Sequence, residues 1–353
     1  KNTCVGMEAG EDMVSAQNAT LMGYRTGYVN TAHELTAFGS ESAKANTSGA
    51  GITAIGREAY KTGDTEGHNM AIGLQTMDTG VNGGEYNVAV GNFALKRITS
   101  GDGVTALGYQ AGTDHTTGAE CTYVGYQAGF NATTGAGNTF VGVRAGYDAN
   151  ITGSENTGIG NFALYRLTSG ASNTVVGYDA GTTLTTATGN TFMGVDAGNN
   201  SVDGGNNTCI GHNTDVSATD TANAIVLGNN IATVENRVAI GKSGALIFAD
   251  FASSATWTQS SDERLKDNIT STDLGLEFVN ELRPVTFKWK DTTTVPEELT
   301  KHKTETNAKD TETLQYGLIA QEVKSAMDKV GHDKFTGWDL DEDDSQCLRE
   351  GQF

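Results

Sequence analysis

Residues 121–146 read CTYVGYQAGFNATTGAGNTFVGVRAG, and this stretch contains one pattern written twice. The tetrapeptide TYVG at residues 122–125 returns 17 residues later as TFVG at residues 139–142. Extended in both directions, the alignment finds the same glycine in fifteen units, spaced by 16 to 18 residues with a final spacing of 13. Self-similarity at a short, fixed period is typical of a solenoid, whose stacked units share one core. These glycines are Gly6, Gly23, Gly39, Gly56, Gly73, Gly91, Gly108, Gly125, Gly142, Gly160, Gly177, Gly194, Gly211, Gly228 and Gly241.

The residues around each repeated glycine predict one short strand per unit. The residue before the glycine is always apolar, and the residue two positions earlier is mostly threonine. A spacing of two places both columns on one face of a strand, and β-branched residues suit that surface. A small residue, mostly alanine, follows three positions after the glycine, and Thr-Gly or Ser-Gly pairs then mark turns. We therefore expect coils of a β-solenoid or β-roll, with the aliphatic residue, the threonine and the alanine pointing inward.

About fourteen such coils at the ~4.8 Å strand spacing would form a shaft on the order of 65 Å long. One aliphatic residue, one threonine and one alanine per coil make a small core for a single chain. We therefore expect the shaft to oligomerise, with the aliphatic columns meeting along a shared axis. The repeat at residues 1–241 resembles the head repeat of trimeric autotransporter adhesins and the shafts of bacteriophage tail fibres. That resemblance implies three chains.

Composition places a boundary near residues 250–260. Of the 46 glycines, 41 precede Ser260, whereas both prolines follow it. We predict a repetitive shaft at residues 1–243, closing strands and a linker at 244–260, and a separate domain at 261–353. The net charge of −20 argues against a nucleic-acid partner, because phosphate binding needs clustered Lys and Arg. No apolar run approaches the ~20 residues needed to span a bilayer, so we expect no membrane insertion.

The residues that could bind metals show no ligand-like spacing. The four cysteines form no CxxC motif, which favours unpaired thiols over a zinc site or a disulfide framework. The six histidines are scattered, and surface positions suit them better than a shared site. The acidic run at residues 339–344 lacks the glycine and the spaced glutamate of an EF-hand loop and fits a solvated loop. We expect no metal and no cofactor.

Three ordered sequence blocks follow the shaft. Residues 261–266 read SDERLK, residues 282–289 read LRPVTFKW, and residues 317–323 read GLIAQEV. Together they resemble the intramolecular chaperone domain of phage fibres, the peptidase S74 family, whose first block is followed by a short helix. A small α+β chaperone domain is therefore implied. Because family domains continue into a C-terminal helix and this sequence ends at Phe353, the resemblance implies a domain truncated at that helix.

The resemblance implies a self-cleaving serine endopeptidase. It assigns Ser261 as the nucleophile, Lys266 as the general base and the Ser260–Ser261 bond as the bond that is cut. A neutral lysine can activate a serine hydroxyl, and Ser-Lys pairs are a known variant of serine-protease chemistry. Asp262 and Arg264 match the motif and are expected to position the turn. Taken alone, the first block fits a helix N-cap with acids in its first turn better than it fits the family, and the two later blocks reverse that preference.

The leading functional hypothesis is a phage tail-fibre or tail-spike precursor. Its C-terminal domain would help three shafts meet in register and then release itself in the host cytoplasm, leaving the shaft in the virion. The mature shaft would attach to a host receptor or glycan. A competing hypothesis is a trimeric cell-surface adhesin with a non-cleaving C-terminal cap. A third is a glycan-degrading spike, which would need a further catalytic domain upstream.

Overall fold

A computed structural model describes residues 1–63, 65–79, 83–148, 150–250, 254–259, 275–294, 314–331, 338–340 and 346–348. The chain divides into two compact units, Lys1–Trp257 and Thr258–Phe353. Among the described residues, every element before the first helix is a strand. They are β1 Thr3–Val5, β2 Thr20–Met22, β3 Thr36–Phe38, β4 Thr53–Ile55, β5 Met70–Ile72, β6 Val88–Val90, β7 Thr105–Leu107, β8 Thr122–Val124, β9 Thr139–Val141, β10 Thr157–Ile159, β11 Thr174–Val176, β12 Thr191–Met193, β13 Thr208–Ile210, β14 Thr214–Val216, β15 Ile225–Asn229, β16 Ile231–Thr233, β17 Arg237–Lys242, β18 Ala245–Asp250 and β19 Ser254–Gln259.

The first unit is a β-solenoid of about fourteen turns, as the repeat predicts. Strands β1 to β13, β15 and β17 pair in parallel, each with the equivalent strand of the next coil. Thr122 of β8 lies opposite Thr139 of β9, so the repeat and the hydrogen-bond register coincide. Strands β14 and β16 form a second parallel pair. β18 then turns back antiparallel to β17 and ends the parallel stack.

The expected orientation of the strand side chains is wrong. The threonine and the aliphatic residue do share a face, but that face is the outer one, and the residue between them points into the core. Tyr123 and Phe140, at this middle position, are fully buried, whereas Ile159 and Met193, before the glycine, are 40% and 46% exposed. Successive strand residues alternate between faces, so only one set can enter the coil. The middle position varies from glycine to phenylalanine and therefore carries no repeat signal.

We call the aliphatic column the apolar stripe. Each of its side chains is half-buried or exposed, and neither it nor the threonine column contains a charged residue. It comprises Val5, Met22, Phe38, Ile55, Ile72, Val90, Leu107, Val124, Val141, Ile159, Val176, Met193, Ile210, Leu227 and Ile240.

The core is filled by pairs of complementary volume within a coil. Where the middle strand residue is large, the residue six positions later is glycine, as in Phe140 and Gly146. A Cβ on Gly146 would lie 2.6 Å from the Phe140 ring, so no larger residue fits there. In several coils the middle residue is small and the partner is large, as in Ala54 with the fully buried Tyr60. This exchange keeps the interior filled while the backbone repeats unchanged.

A ladder of buried asparagines crosses the C-terminal coils, four residues before the repeated glycine. The Asn156 Nδ2 donates to Gly170 O at 2.9 Å, and its Oδ1 accepts from Asn173 N at 3.1 Å. Asn173 repeats the arrangement with Ala187 O and Asn190 N. Each amide thus satisfies backbone groups of the next coil that have no strand partner. The ladder members are Asn138, Asn156, Asn173, Asn190 and Asn207.

Replacing Asn156 with alanine should lower the free energy of unfolding by about 2–4 kcal/mol, because two buried backbone groups lose their partners. Asn161→Ala is the matched control. Its Oδ1 also accepts a backbone N–H, from Val143 at 3.1 Å, but at the surface, where water can replace it. We expect that control to cost less than about 1 kcal/mol. Denaturant unfolding followed by circular dichroism compares the two, and equal losses would mean that the ladder does not stabilise the stack.

His115 is a further exception to the sequence-based expectation. His33, His68 and His212 are exposed, but His115 is fully buried. Its Nε2 lies 2.6 Å from Gly118 O and its Nδ1 lies 3.1 Å from the Tyr123 hydroxyl. Burial lowers the pKa of His115 to about 4, so the imidazole is neutral near pH 7. The ring therefore acts as a hydrogen-bonded core residue.

The second unit is a small α+β arrangement. Its elements are α1 Leu276–Glu281, β20 Val285–Phe287, a 3-10 turn Thr292–Thr294, β21 Gln315–Gly317, α2 Ala320–Lys329, β22 Trp338–Leu340 and β23 Gln346–Leu348. β20 pairs antiparallel with β21, and β22 with β23. Phe278 of α1 is buried against Val323, Ala326 and Met327 of α2. The helices therefore share one small apolar core.

Candidate functional site

The residues predicted to carry out self-cleavage lie outside the described residues. These are Ser260, Ser261, Asp262, Arg264 and Lys266. Their mutual distances are not part of the described structure, so the Ser-Lys dyad stays a prediction. The structure does describe both later sequence blocks, at residues 282–289 and 317–323.

The two later blocks meet in one antiparallel strand pair. Val285 lies opposite Gly317, and Phe287 lies opposite Gln315. The Phe287 ring contacts Trp289 edge to face, with centroids 5.2 Å apart. The proline at position 284 directly precedes β20, at the strand end, where its missing N–H removes no ladder bond. Blocks separated by about thirty residues in the sequence therefore form one structural unit.

An ion pair joins the same two blocks. The Arg283 Nε donates to Glu322 Oε2 at 3.1 Å, and a second guanidinium nitrogen contacts Oε1, which makes the pair bidentate. The arginine hydrogen bond lowers the pKa of the Glu322 carboxyl, and the carboxylate raises the pKa of Arg283. Both side chains are substantially exposed, so the pair contributes orientation more than stability. Both residues belong to the later sequence blocks, but nothing in the sequence predicted their contact.

An apolar groove of about 500 Å³ lies beside this strand pair. Tyr316 in its wall is 80% exposed, and Val279 from α1 is 54% exposed. Its lining residues are Val279, Leu282, Pro284, Tyr316, Gly317 and Leu318. The domain thus presents apolar surface on both its helix and its strand pair.

The described residues contain no group of three or more His, Cys, Asp or Glu arranged to hold a metal ion. Cys4, Cys121 and Cys209 are free thiols. Burial raises the pKa of the Cys121 thiol, which keeps it protonated and unreactive. Within the same part of the chain, no helix has the length and apolar character required to cross a membrane.

Residues 261–332 match the Peptidase S74 family, described as the chaperone of endosialidase. The chain carries a Peptidase S74 domain. The matched segment begins at Ser261 and includes Lys266 and both later blocks. Family membership points to self-cleaving peptidase activity. A Peptidase S74 domain that follows a β-solenoid shaft in the sequence fits a fibre-like, chaperone-assisted protein of the tail-fibre or tail-spike kind. No curated protein sequence and no solved structure matches the chain.

Proposed function

We propose that the chain is the precursor of a virion tail fibre or tail spike that assembles as a homotrimer. The Peptidase S74 domain assists the shafts in meeting and then cuts the Ser260–Ser261 bond, with Ser261 as nucleophile and Lys266 as base. The domain is released in the host cytoplasm, and the mature shaft binds a host receptor or glycan. The proposal includes no nucleic-acid partner and no membrane insertion. The observation that carries it is the apolar stripe on a shaft that ends in a chaperone domain.

The apolar stripe supports self-association. A chain with a net charge of −20 keeps fifteen successive stripe positions free of charge, although most of them are accessible to water. A face about 10 Å wide and ~65 Å long would bury roughly 650 Å² per copy, close to the ~800 Å² of a stable interface. Three copies around one axis would cover the stripe of each, and the number three comes from the family resemblance.

The assembly also gives the chaperone a physical task. Every coil presents nearly the same surface, so two stripes can meet in many registers displaced by one coil. A domain that fixes the C-terminal ends would select one register before the shafts close. Removing that domain would leave the trimer behind a high unfolding barrier, because no register search can restart.

Placing charge in the stripe should dissociate the assembly. The triple variant Ile55→Asp, Leu107→Asp and Ile159→Asp places three carboxylates in the proposed interface, where each costs several kcal/mol. The control adds the same charges at exposed turn positions of the shaft, through Thr117→Asp, Thr134→Asp and Thr152→Asp. Native mass spectrometry and sedimentation should find three copies for wild type and control, and one for the stripe variant. A monomeric wild type, or a trimeric stripe variant, would contradict the proposed interface.

A further inference from the structure

The outer side of the shaft carries two side-chain columns, two and five residues after the repeated glycine, whose members contact each other in several coils. Glu41 forms an ion pair with Lys44, with 3.0 Å between Nζ and Oε1. The Arg144 guanidinium lies 5.0 Å from the Tyr147 ring centre. In a later coil Phe162 contacts Tyr165 edge to face, with ring centres 5.8 Å apart. Such pairs cover this side of the shaft in the coils where they form.

A groove of about 450 Å³ opens in one of the coils without such a pair. The two columns are occupied in that coil by Asp179 and Thr182, which are too short to cover the aromatic pair of the preceding coil. The next coil restores a polar pair, in which Asn199 Nδ2 donates to Asp196 Oδ1 at 3.4 Å. The groove therefore has an aromatic wall on one side and a polar wall on the other.

The aromatic wall is accessible. Tyr178 is 51% exposed, and its ring stands edge to face with Phe162 at a centroid distance of 6.2 Å. Tyr165 adds a third ring, stacked on Tyr147 of the preceding coil at 5.5 Å. The negative charge of Asp179 raises the pKa of the Tyr178 phenol. The hydroxyl therefore stays protonated.

The groove floor is fixed by hydrogen bonds between coils. Asn199 Oδ1 accepts from Thr182 N at 3.1 Å and from Thr182 Oγ1 at 3.0 Å. Thr183 Oγ1 donates to Ser201 O at 3.0 Å. A floor held by the solenoid backbone loses little conformational freedom when a ligand binds, which favours recognition.

We infer that this groove binds a short, neutral oligosaccharide. A pyranose ring presents C–H groups on its faces and hydroxyls at its edges, and the groove offers rings on one wall and carboxylate and amide groups on the other. Arg166, also in the lining, can donate to a sugar hydroxyl. Two carboxylates against one guanidinium leave the groove negative, which disfavours sialylated or uronic-acid sugars. This inference rests on the proposed attachment role and names its ligand class.

The test is binding of the full chain to a panel of immobilised oligosaccharides. The panel contains neutral glucose, galactose, mannose and N-acetylglucosamine oligomers, with sialylated and glucuronic-acid oligomers of matched length. We expect binding to at least one neutral series, no preference for the acidic ones, and at least a tenfold loss for Tyr178→Ala and for Asp196→Ala. Tyr109→Ala is the matched control, because Tyr109 follows the repeated glycine four coils earlier and is 41% exposed. That control should bind as wild type does.

Failure to bind any neutral oligomer, a preference for acidic oligomers, or unchanged binding by Tyr178→Ala would overturn the inference. The same preparations are analysed for copy number and for cleavage at Ser260–Ser261. A cleaved trimer that binds no sugar removes the groove assignment and leaves the fibre proposal intact. A monomeric, uncleaved chain that binds neutral sugar through Tyr178 supports the groove while the fibre proposal fails.

Discussion

Ser261→Ala should leave the full chain uncut, whereas the wild-type chain separates into a shaft and a released domain. Loss of the nucleophile removes the covalent step, and we expect the rate of cleavage to fall by at least about 1,000-fold. Intact mass after expression measures the outcome directly. Ser260→Ala is the matched control, because it changes the neighbouring side chain and retains both proposed catalytic groups. That variant should still be cut after residue 260.

Lys266 separates the chemistry of the site from its charge. A lysine accepts the serine proton only when it is neutral, so cleavage should become faster as the pH rises through the pKa of that amine. Lys266→Arg keeps the positive charge but supplies a group that does not deprotonate in proteins. We expect Lys266→Arg to fold, to form trimers and to remain uncut. Cleavage by Lys266→Arg at the wild-type rate would exclude lysine as the base.

A wild-type chain that stays whole in an assembled trimer would contradict autoproteolysis. The C-terminal domain would then be a retained chaperone or cap, and the adhesin hypothesis would gain support. Products cut at a bond other than Ser260–Ser261 would contradict the assigned cleavage site. Each of these outcomes is read from the same mass spectrum.

Gly142→Ala should destabilise the shaft by about 3 kcal/mol or more, because it adds a methyl group where neighbouring coils are in close contact. Gly142 has a φ of 135°, which L side chains rarely adopt. A Cβ there would lie 2.4 Å from Gly160 O and 2.6 Å from Gly160 C, both backbone atoms of the next coil. Relief of this clash requires the parallel strands to separate, and that weakens the strand hydrogen bonds on both sides of the substitution.

Gly103→Ala is the matched control. Gly103 also has a positive φ, 65°, but a Cβ there would meet nothing within 4 Å. We expect a cost of about 1 kcal/mol, from backbone conformation alone. Thermal unfolding at one protein concentration should show a fall for Gly142→Ala of roughly 6 °C or more, at 2–4 °C per kcal/mol, and a much smaller fall for the control. Similar shifts for both would show that close stacking does not explain the repeated glycine.

Much of the shaft could be predicted from the column of glycines. Its spacing defined the coils, and the structure pairs the strands of neighbouring coils in that register. The direction of the side chains could not be predicted in the same way. The threonine and aliphatic columns repeat regularly along the chain because they lie on a uniform outer face. The core position varies because the two core residues of a coil complement each other in volume. Phe140 is large beside Gly146 in one coil, and Ala54 is small beside Tyr60 in another.

The asparagine column illustrates the same limit. The side chains of Asn156 and Asn173 satisfy backbone groups of the next coil. Their complete burial follows from the stacking of coils, which no single repeat unit contains. The turns after the repeated glycine show the same limit. Gln127 and Arg144 adopt positive φ values of 57° and 53° there, although neither is a glycine. Hydrogen bonds to neighbouring coils hold these conformations.

The sequence by itself determined the repeat period, the parallel register, the position of the compositional boundary and the Peptidase S74 blocks, because each of these depends on residue identity along the chain. The tertiary structure decided which face of each strand is buried and how the asparagines connect the coils. It also decided where a groove opens between the outer side chains. It also brought Arg283 to Glu322 across about forty residues. These features depend on contacts between residues that are distant in sequence, and such contacts are fixed only when the chain folds.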